Sequence, residues 1–228
     1  MSTWPKKPRQ LTPEQERVRE DFVRHWHTVL PRQFSVVERF NHGYAAARAR
    51  PGTTVEIGAG LGEHIRYEDL TTQHYTAIEL REEMAVAITR DFPAVRAMVA
   101  DCQTRLPIDS DSVDRVIAIH VLEHLPDLPA ALAEVHRILK PDGSFQVCIP
   151  CEGGFAYALG RRLSAERIFR KRYNMDYRWF VESEHINLPS EILLELDRLF
   201  VVRDRTYFPL RVPIVSANLV IGLDLAPR

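Results

Sequence analysis

Short apolar segments alternate with amphipathic segments through the middle of the chain. Five runs rich in Val, Ile and Ala read as buried strands, separated by polar turns or by helical periodicity. Strands that alternate with helices imply βαβ units and a buried parallel sheet. The predicted strands are residues 53–59, 74–80, 95–101, 113–121 and 144–150, and the predicted helices that follow them are 62–69, 81–91 and 128–139.

Helical patterns precede this alternation. A capping box of Thr12 and Gln15 predicts a helix that runs to about His27, and a second, less regular helix is expected over 31–48. Residues 1–11 are expected to form a disordered or loosely attached tail.

The alternation of strands and helices ends after the fifth strand. Residues 151–188 differ in composition from the rest, and Pro189 then opens a helix predicted to end near Phe200. Two further strands, 200–210 and 216–226, are joined by a connection short enough for antiparallel pairing.

The stretch TTVEIGAGLGEHI contains three alternate glycines directly behind the first strand. Ligands of open α/β sheets bind beside such a turn, beyond the carboxyl ends of the strands. A dinucleotide fingerprint would need a glycine at position 63, where this chain has Glu63, and no G-K-[S/T] sequence supports a P-loop. The glycines by themselves leave dinucleotides and S-adenosylmethionine both open.

Acids end the next two strands. Glu79 lies 19 residues beyond Gly60, where a carboxylate can accept both hydroxyls of a ribose. Asp101 can accept from an adenine amino group, while the backbone N–H of Cys102 can meet a ring nitrogen. The two acids together favour an adenosine-bearing cofactor.

Four motifs in order, VEIGAGLGEH, YTAIEL, VADCQTRLPIDSDSVDRVIAIHVLEHL and EVHRILKPDGSFQVCIP, make residues 53–150 resemble class I S-adenosylmethionine-dependent methyltransferases. The nearest branch is the type 11, small-molecule methyltransferase domain. The resemblance implies a Rossmann-like α/β fold with a seven-stranded sheet in the order 3-2-1-4-5-7-6. Strand 7 would be antiparallel, helices would cover both faces, and a helical extension would precede the sheet.

The resemblance also implies roles for individual residues. The loop around the methionine and ribose would be Glu56, Gly58, Ala59, Gly60 and Gly62; the ribose and adenine would meet Glu79, Leu80, Asp101 and Cys102; the sulfonium end would lie near His120. The turn LKPDG before the fifth strand is interpreted as structural turn chemistry.

Composition narrows the classes of function. The 228 residues carry a net charge of −1, so nucleic acid is an unlikely partner by this criterion. No apolar run is long enough for a transmembrane helix, and the N-terminus lacks the apolar region of a secretory signal. Three cysteines argue against a disulfide scaffold, and Cys148 and Cys151 have no second pair with which to bind a metal. We therefore expect no metal and a cytoplasmic location.

Residues 151–188 are predicted to be a basic cap over the substrate. Seven cations between 161 and 178 stand against Glu166 and Asp176, with tyrosines and Trp179 interleaved. One interpretation is a solvated amphipathic helix. The other is a cap that recognises an anionic small or lipid-linked acceptor, with peripheral membrane contact through 161–178.

Two histidines are candidate catalytic residues. His185 lies just ahead of the helix that begins at Pro189, and His124 belongs to the L-E-H turn. Methyl transfer to a hydroxyl needs a base for its proton, and we predict His185 for this role.

The expected organisation is a tail and helical cover over 1–50 and a methyltransferase domain over 51–228. The alternatives are an NAD-dependent oxidoreductase and a non-catalytic module that binds S-adenosylmethionine.

Overall fold

The computed structural model describes residues 3–33 and 35–228, with the side chains of all of these except residues 27–33. The described residues form one sheet and eight α-helices. The strands are β1 (Gly52–Ile57), β2 (Gln73–Glu79), β3 (Arg96–Val99), β4 (Val113–Ile119), β5 (Leu139–Pro150), β6 (Phe200–Phe208) and β7 (Val220–Pro227). The helices are α1 (Pro13–Gln33), α2 (Ser35–Ala46), α3 (Glu82–Asp91), α4 (Leu128–Ile138), α5 (Phe155–Leu163), α6 (Ala165–Tyr173), α7 (Arg178–Glu184) and α8 (Pro189–Leu199).

The sheet has the predicted order, β3-β2-β1-β4-β5-β7-β6. The first five strands pair in parallel, while β7 runs antiparallel to β5 and β6. The predicted Rossmann-like architecture is thereby confirmed, including the direction of the last strand.

Helices pack on both faces because successive strand residues point to opposite sides. One face buries Val55 and Val116 against leucines of α4 and α8. The other buries Ala77 and Ile117 against Ala45 of α2 and residues of α3. Since both faces are covered, the strands are apolar on both sides, which explains the continuous apolar runs in the sequence.

The helix predicted over 62–69 is wrong. Gly62 has φ +79°, which an α-helix cannot contain, and the segment forms only a short 3-10 turn at Ile65–Tyr67. The loop is instead fixed by its buried polar side chains, because Glu68 forms a bidentate ion pair with Arg115 on β4. The chain therefore reaches β2 through a loop that is anchored to β4 by the Glu68–Arg115 ion pair, rather than through a helix.

The turn predicted at LKPDG is also wrong in its detail. These residues form the irregular beginning of β5, where the register jumps from the Leu139–Val113 pair to the Ser144–Arg115 pair. The extra residues on β5 bulge, so the Pro-Asp-Gly chemistry bends a strand rather than reversing the chain.

The N-terminal segment is attached more firmly than predicted. The Nζ atom of Lys6 donates to the Ile186 carbonyl oxygen at 2.8 Å and forms an ion pair with Glu191 at 2.7 Å. The described part of the tail, from residue 3, is therefore anchored beside the segment that carries His185, whereas residues 1 and 2 lie outside the described residues.

The capping box at Thr12 and Gln15 is confirmed by two reciprocal hydrogen bonds of 3.0 and 3.2 Å. The first helix nevertheless runs on to Gln33, and the second covers Ser35–Ala46 rather than 31–48. Pro31 lies four residues after His27 and is a usual helix stop signal, yet the helix continues through it to Gln33.

The two N-terminal helices, α1 and α2, pack against different parts of the protein. Phe22 of α1 lies in an aromatic cluster with Phe169, Tyr177, Trp179 and Phe180 of the 151–188 segment, and the Phe22 and Phe169 rings meet edge to face at 5.0 Å. Helix α2 packs on the sheet. Thus α1 supports the cap, and α2 supports the core.

Candidate active site

The predicted cofactor residues meet along one edge of the sheet. Asp101 follows β3, Glu79 ends β2, the glycine loop follows β1 and His120 follows β4. Because the sheet order is β3-β2-β1-β4, these groups succeed one another in space at about 4.8 Å per strand, or about 14 Å in all. The edge contains the point where the strand order reverses, which is the usual ligand crevice of such sheets.

The glycine loop has a backbone that only glycine adopts readily. Gly58, Gly60 and Gly62 have φ values of +65°, +58° and +79°. A Cβ atom on Gly58 would lie 2.5 Å from Cγ2 of Val121, so the loop packs directly on the segment after β4. The glycines therefore bring the loop against the His120 segment.

Two carboxylates hold this edge in shape. Oε2 of Glu79 accepts the Gly60 N–H at 3.0 Å, and Oε1 accepts the Arg81 N–H at 3.1 Å. Asp101 accepts the Gln103 N–H at 2.9 Å, and Leu80 is 65% exposed. A carboxylate that orders the loop, next to an exposed apolar side chain, fits a ribose with an adenine beside it.

Glu56 is buried beneath the loop. Its Oε2 accepts the hydroxyl of Tyr75 at 2.7 Å, and only 3% of the residue is exposed. Burial raises the pKa of the Glu56 carboxyl to about 8, although the Tyr75 hydrogen bond works in the opposite direction. The predicted contact of Glu56 with the cofactor stays a prediction, since the visible role of this side chain is internal.

We expect Glu56→Gln to change how stability depends on pH. The folded-state pKa lies above the ordinary value, so Glu56 contributes stability below pH 4.5 that is lost as pH rises towards 8. The wild-type free energy of unfolding should lose about 1.4 kcal/mol per pH unit from this group, and the variant should not. Urea unfolding from pH 5 to 8 measures this. Parallel curves for the two proteins would show that Glu56 is ionised in the folded state.

The L-E-H turn places a buried acid between two histidines. Nδ1 of His120 lies 3.1 Å from Oε1 of Glu123, and Nε2 of His124 lies 4.0 Å from the same oxygen. Burial favours the neutral acid, but the His120 hydrogen bond and the nearby histidines outweigh it and lower the pKa of Glu123 to about 2. Burial lowers the pKa of His124, whose Nδ1–H donates to the Glu184 carbonyl oxygen at 2.7 Å.

Burial also acts against the charge on His120. The hydrogen bond and the charge of Glu123 are stronger, so the pKa of His120 is raised. This residue has φ +54°, a value that is uncommon for residues other than glycine. An ion pair thus lies directly after β4, at the predicted sulfonium end of the cofactor crevice.

His185 forms a pair with an acid that the sequence analysis missed. Nδ1 of His185 lies 2.8 Å from Oε2 of Glu152, and a carboxylate can only accept, so Nδ1 carries the proton. Arg161 pairs with the other carboxylate oxygen at 2.6 Å. Burial raises the pKa of Glu152, but His185 and Arg161 outweigh it and the pKa is lowered. Glu152 lies two residues beyond β5, as Asp101 lies two residues beyond β3, and that position was the available signal.

The two predicted catalytic histidines lie side by side. The rings of His124 and His185 are 5.1 Å apart, nearly perpendicular to each other. The backbone N–H groups of Ile186 and Asn187 both donate to the Glu123 carbonyl oxygen. The Asn187 side chain also donates to the carbonyl oxygens of Leu122 and Leu125, each at 2.8 Å. These bonds fix the His185 segment to the L-E-H turn.

Asn187→Ala is expected to loosen that attachment. Two buried carbonyl oxygens would lose their donor, which costs about 2–3 kcal/mol of unfolding free energy. Turnover should also fall, because His185 is no longer held beside His124. Urea unfolding and release of S-adenosylhomocysteine measure the two effects. Asn174→Gly, at an exposed position with φ +52°, is the control and should change neither by much.

Glu123, His124 and His185 are also the residues that could hold a metal ion. Among the described residues they form the one such group, with ligand atoms within 4.8 Å of one another. Two ligands at about 2.1 Å from a tetrahedral zinc lie about 3.4 Å apart, so the side chains would have to move closer. The absence of a metal stays a prediction. Cys148 and Cys151 are buried and do not belong to this group.

The cap differs from the predicted layout in its aromatic residues. Tyr173, Tyr177 and Trp179 pack into the aromatic cluster around Phe169 and Phe22, so these rings are not placed to stack on a ligand. Several cations are paired as well, Arg170 with Glu166 and Arg172 with Asp21. The interleaved aromatic pattern therefore marks a small hydrophobic core.

A family model described as a methyltransferase domain matches residues 55–147, the segment that contains the loop, the strand-end acids and the L-E-H turn. Residues 55–147 belong to the methyltransferase domain family. With the sheet order, this match confirms the predicted class I S-adenosylmethionine-dependent methyltransferase domain for this segment.

Individual relatives of this methyltransferase domain agree on the fold. A TehB-like SAM-dependent methyltransferase from Corynebacterium glutamicum has a TM-score of 0.65 at 15% identity, covering 95% of this chain and all of that one. The 1,6-didemethyltoxoflavin-N1-methyltransferase of Burkholderia thailandensis, solved with S-adenosylhomocysteine, has a TM-score of 0.60 at 18% identity, covering 97% and 92%.

One relative that matches part of this chain is named as a hydroxylase. The Danio rerio arginine-hydroxylase NDUFAF5 is 31% identical over 105 residues, which is 45% of this chain and 32% of the relative. The chain spans about a third of the length of the first curated relatives it matches. Within the described part of the chain, no helix has the length and hydrophobicity needed to cross a membrane.

Proposed function

We propose that the protein transfers a methyl group from S-adenosylmethionine to an oxygen of a small or lipid-linked anionic acceptor. The observation that carries this proposal is the His185–Glu152 pair, held beside His124 at the same sheet edge as the glycine loop. In this proposal the glycine loop and the strand-end acids hold the cofactor, and the acceptor meets it beside the His185–Glu152 pair.

The proposed reaction needs no side chain to activate the methyl carbon. The cofactor supplies a methyl group on a sulfonium, already activated for in-line displacement. The glycine loop and Glu79 hold the donor, and alignment with the acceptor provides most of the rate enhancement.

His185 deals with the proton of the acceptor. Its Nδ1–H is held by Glu152, so the lone pair on Nε2 can take the hydroxyl proton as the new O–C bond forms. The Glu152 carboxylate then stabilises the imidazolium and keeps the ring in this tautomer. A protein that methylated an acceptor without a proton to lose would not need such a pair, and for this reason we favour a hydroxyl.

The charge of the cap supports an anionic acceptor. Arg162, Arg167 and Lys171 are exposed and form no ion pair among the described residues. That nucleic acid is an unlikely partner stays a prediction from the net charge. A cytoplasmic location also stays a prediction.

Calorimetry tests the cofactor half of the proposal. We expect S-adenosylmethionine to bind and NAD to leave no heat signal. Binding of NAD instead would support an oxidoreductase, whose dinucleotide would have to tolerate Glu63, a residue that already accepts the Leu61 N–H at 2.9 Å.

Incubation with S-adenosylmethionine and a cell extract tests catalysis. Release of S-adenosylhomocysteine is expected, and mass spectrometry should show a product heavier by one methylene unit on oxygen. Binding of the cofactor with no release in any extract would favour the non-catalytic module. An oxidised product would place the protein with the hydroxylase relative.

A further inference from the structure

Helix α5 (Phe155–Leu163) has one apolar face that stays exposed to solvent in the described part of the protein. No residue of this helix is fully buried, and Tyr157 packs against the core from the opposite side. Phe155, Leu159 and Leu163 are 76%, 46% and 67% exposed, and their spacing of four residues puts them on one face. A surface helix ordinarily turns such a face towards the core.

The segment before β7 adds a second set of exposed apolar side chains. Leu210, Val212 and Ile214 are 58%, 38% and 53% exposed. The segment adjoins α5, because a Cβ atom on Gly154, at the start of the helix, would lie 2.8 Å from the Val215 carbonyl oxygen. We call the six residues of these two sets the apolar patch: Phe155, Leu159, Leu163, Leu210, Val212 and Ile214.

Exposed cations lie next to residues of the apolar patch along the chain. Arg162 lies within α5, Arg211 lies within the 209–214 segment, and Arg167 and Lys171 follow on α6; all four are exposed and have no ion-pair partner among the described residues. The nearby acids Glu166 and Asp176 are both within ion-pair distance of Arg170. The rim of the patch is therefore cationic.

We propose that the apolar patch docks the protein on an anionic lipid bilayer, with α5 lying in the plane of the interface. Exposed Phe and Leu side chains with flanking arginines are the composition that interfacial helices use. A second copy of this chain fits the patch less well, because a twofold contact would bring two cationic rims together.

The place of the patch gives the docking a consequence for the active site. Phe155 follows Glu152 by three residues, and Arg161 of α5 holds the Glu152 carboxylate. The bilayer would therefore meet the protein beside the His185–Glu152 pair, so a lipid-linked acceptor could enter from the headgroup layer. This consequence rests on the proposed function, whereas the docking itself does not.

Vesicle co-sedimentation without cofactor or acceptor tests the docking. The full chain should sediment with vesicles of phosphatidylcholine containing about a third phosphatidylglycerol, and much less with phosphatidylcholine alone. Added salt should weaken the binding, since the rim acts electrostatically. Phe155→Ser/Leu163→Ser should bind the anionic vesicles at least tenfold more weakly, because its apolar side chains no longer enter the interface.

The matched control is Val86→Ser/Leu194→Ser, which removes two apolar side chains that are 62% and 55% exposed outside the patch. This variant should sediment like the wild type, and calorimetry with S-adenosylmethionine should give the same affinity for all three proteins. Absence of vesicle binding at low salt, or equal losses in both variants, would overturn the proposal. A dimer in gel filtration that the patch variant abolishes would assign the surface to a second copy instead.

Discussion

Replacing His185 by alanine is expected to lower turnover by about 10²- to 10⁴-fold, the usual contribution of a positioned general base. The affinity for S-adenosylmethionine should stay within about twofold, because His185 contacts Glu152 and His124 rather than the glycine loop. Release of S-adenosylhomocysteine with a responsive extract measures the first quantity, and calorimetry measures the second.

Two further variants sharpen this expectation. Glu152→Gln keeps a side chain of the same shape but removes the charge that holds the imidazolium, so turnover should fall, by less than in His185→Ala. His74→Ala, at an exposed position on β2, is the matched histidine control and should be active. Loss of cofactor affinity in His185→Ala, or full activity in that variant, would remove His185 from the proposed mechanism.

Arg115→Met is expected to cost about 3–5 kcal/mol of unfolding free energy, because it leaves the buried Glu68 carboxylate without its bidentate arginine partner. His64 and Gln73 still lie 2.7 Å from this carboxylate but supply no second guanidinium. Arg115 is fully buried in β4. Its guanidinium donates to both carboxylate oxygens of Glu68, at 2.8 and 3.0 Å, and to the Ala45 carbonyl oxygen at 2.7 Å. It therefore joins the sheet, the loop after the glycines and the end of α2.

Urea unfolding of three variants tests this role. The control Arg90→Met removes the same charge from an exposed ion pair with Asp91, in which the Arg90 side chain is 74% exposed. It should change the free energy of unfolding by less than about 0.5 kcal/mol. The double variant Arg115→Met/Glu68→Gln should recover part of the loss, since no buried charge remains unpaired. A cost in Arg115→Met no larger than in Arg90→Met would mean that the buried network does not stabilise the fold.

The active site combines residues of two origins. Glu79, Asp101 and the three glycines each lie at or just beyond the end of a strand, so the strand pattern alone placed them at one edge. Glu152 has the same kind of position after β5, yet no motif of the resemblance covered it. It became a functional candidate only when Nδ1 of His185 was found 2.8 Å away.

Errors in the sequence analysis arose where distant residues outweigh local preference. The segment after Gly62 has helix-forming residues, but positive φ at the glycine and the Glu68–Arg115 ion pair hold it as a loop. The tail looked unstructured by composition, and Lys6 anchors it to a segment about 180 residues away. The sequence interleaves tyrosines and Trp179 with the cations of the cap, whereas in the structure these rings pack with Phe22 of α1 in a small core.

The sequence by itself determined the sheet, its order through the family resemblance, and the strand-end groups of the cofactor crevice. These depend on periodicity, glycine and acids within a few residues of one another, and such local signals act before the chain is compact. Only the tertiary structure decided the His124–His185–Glu152 arrangement, the buried Arg115 network and the exposed face of α5. Each of these depends on which distant segments come into contact, and the burial and hydrogen bonds that select those contacts exist only in the packed chain.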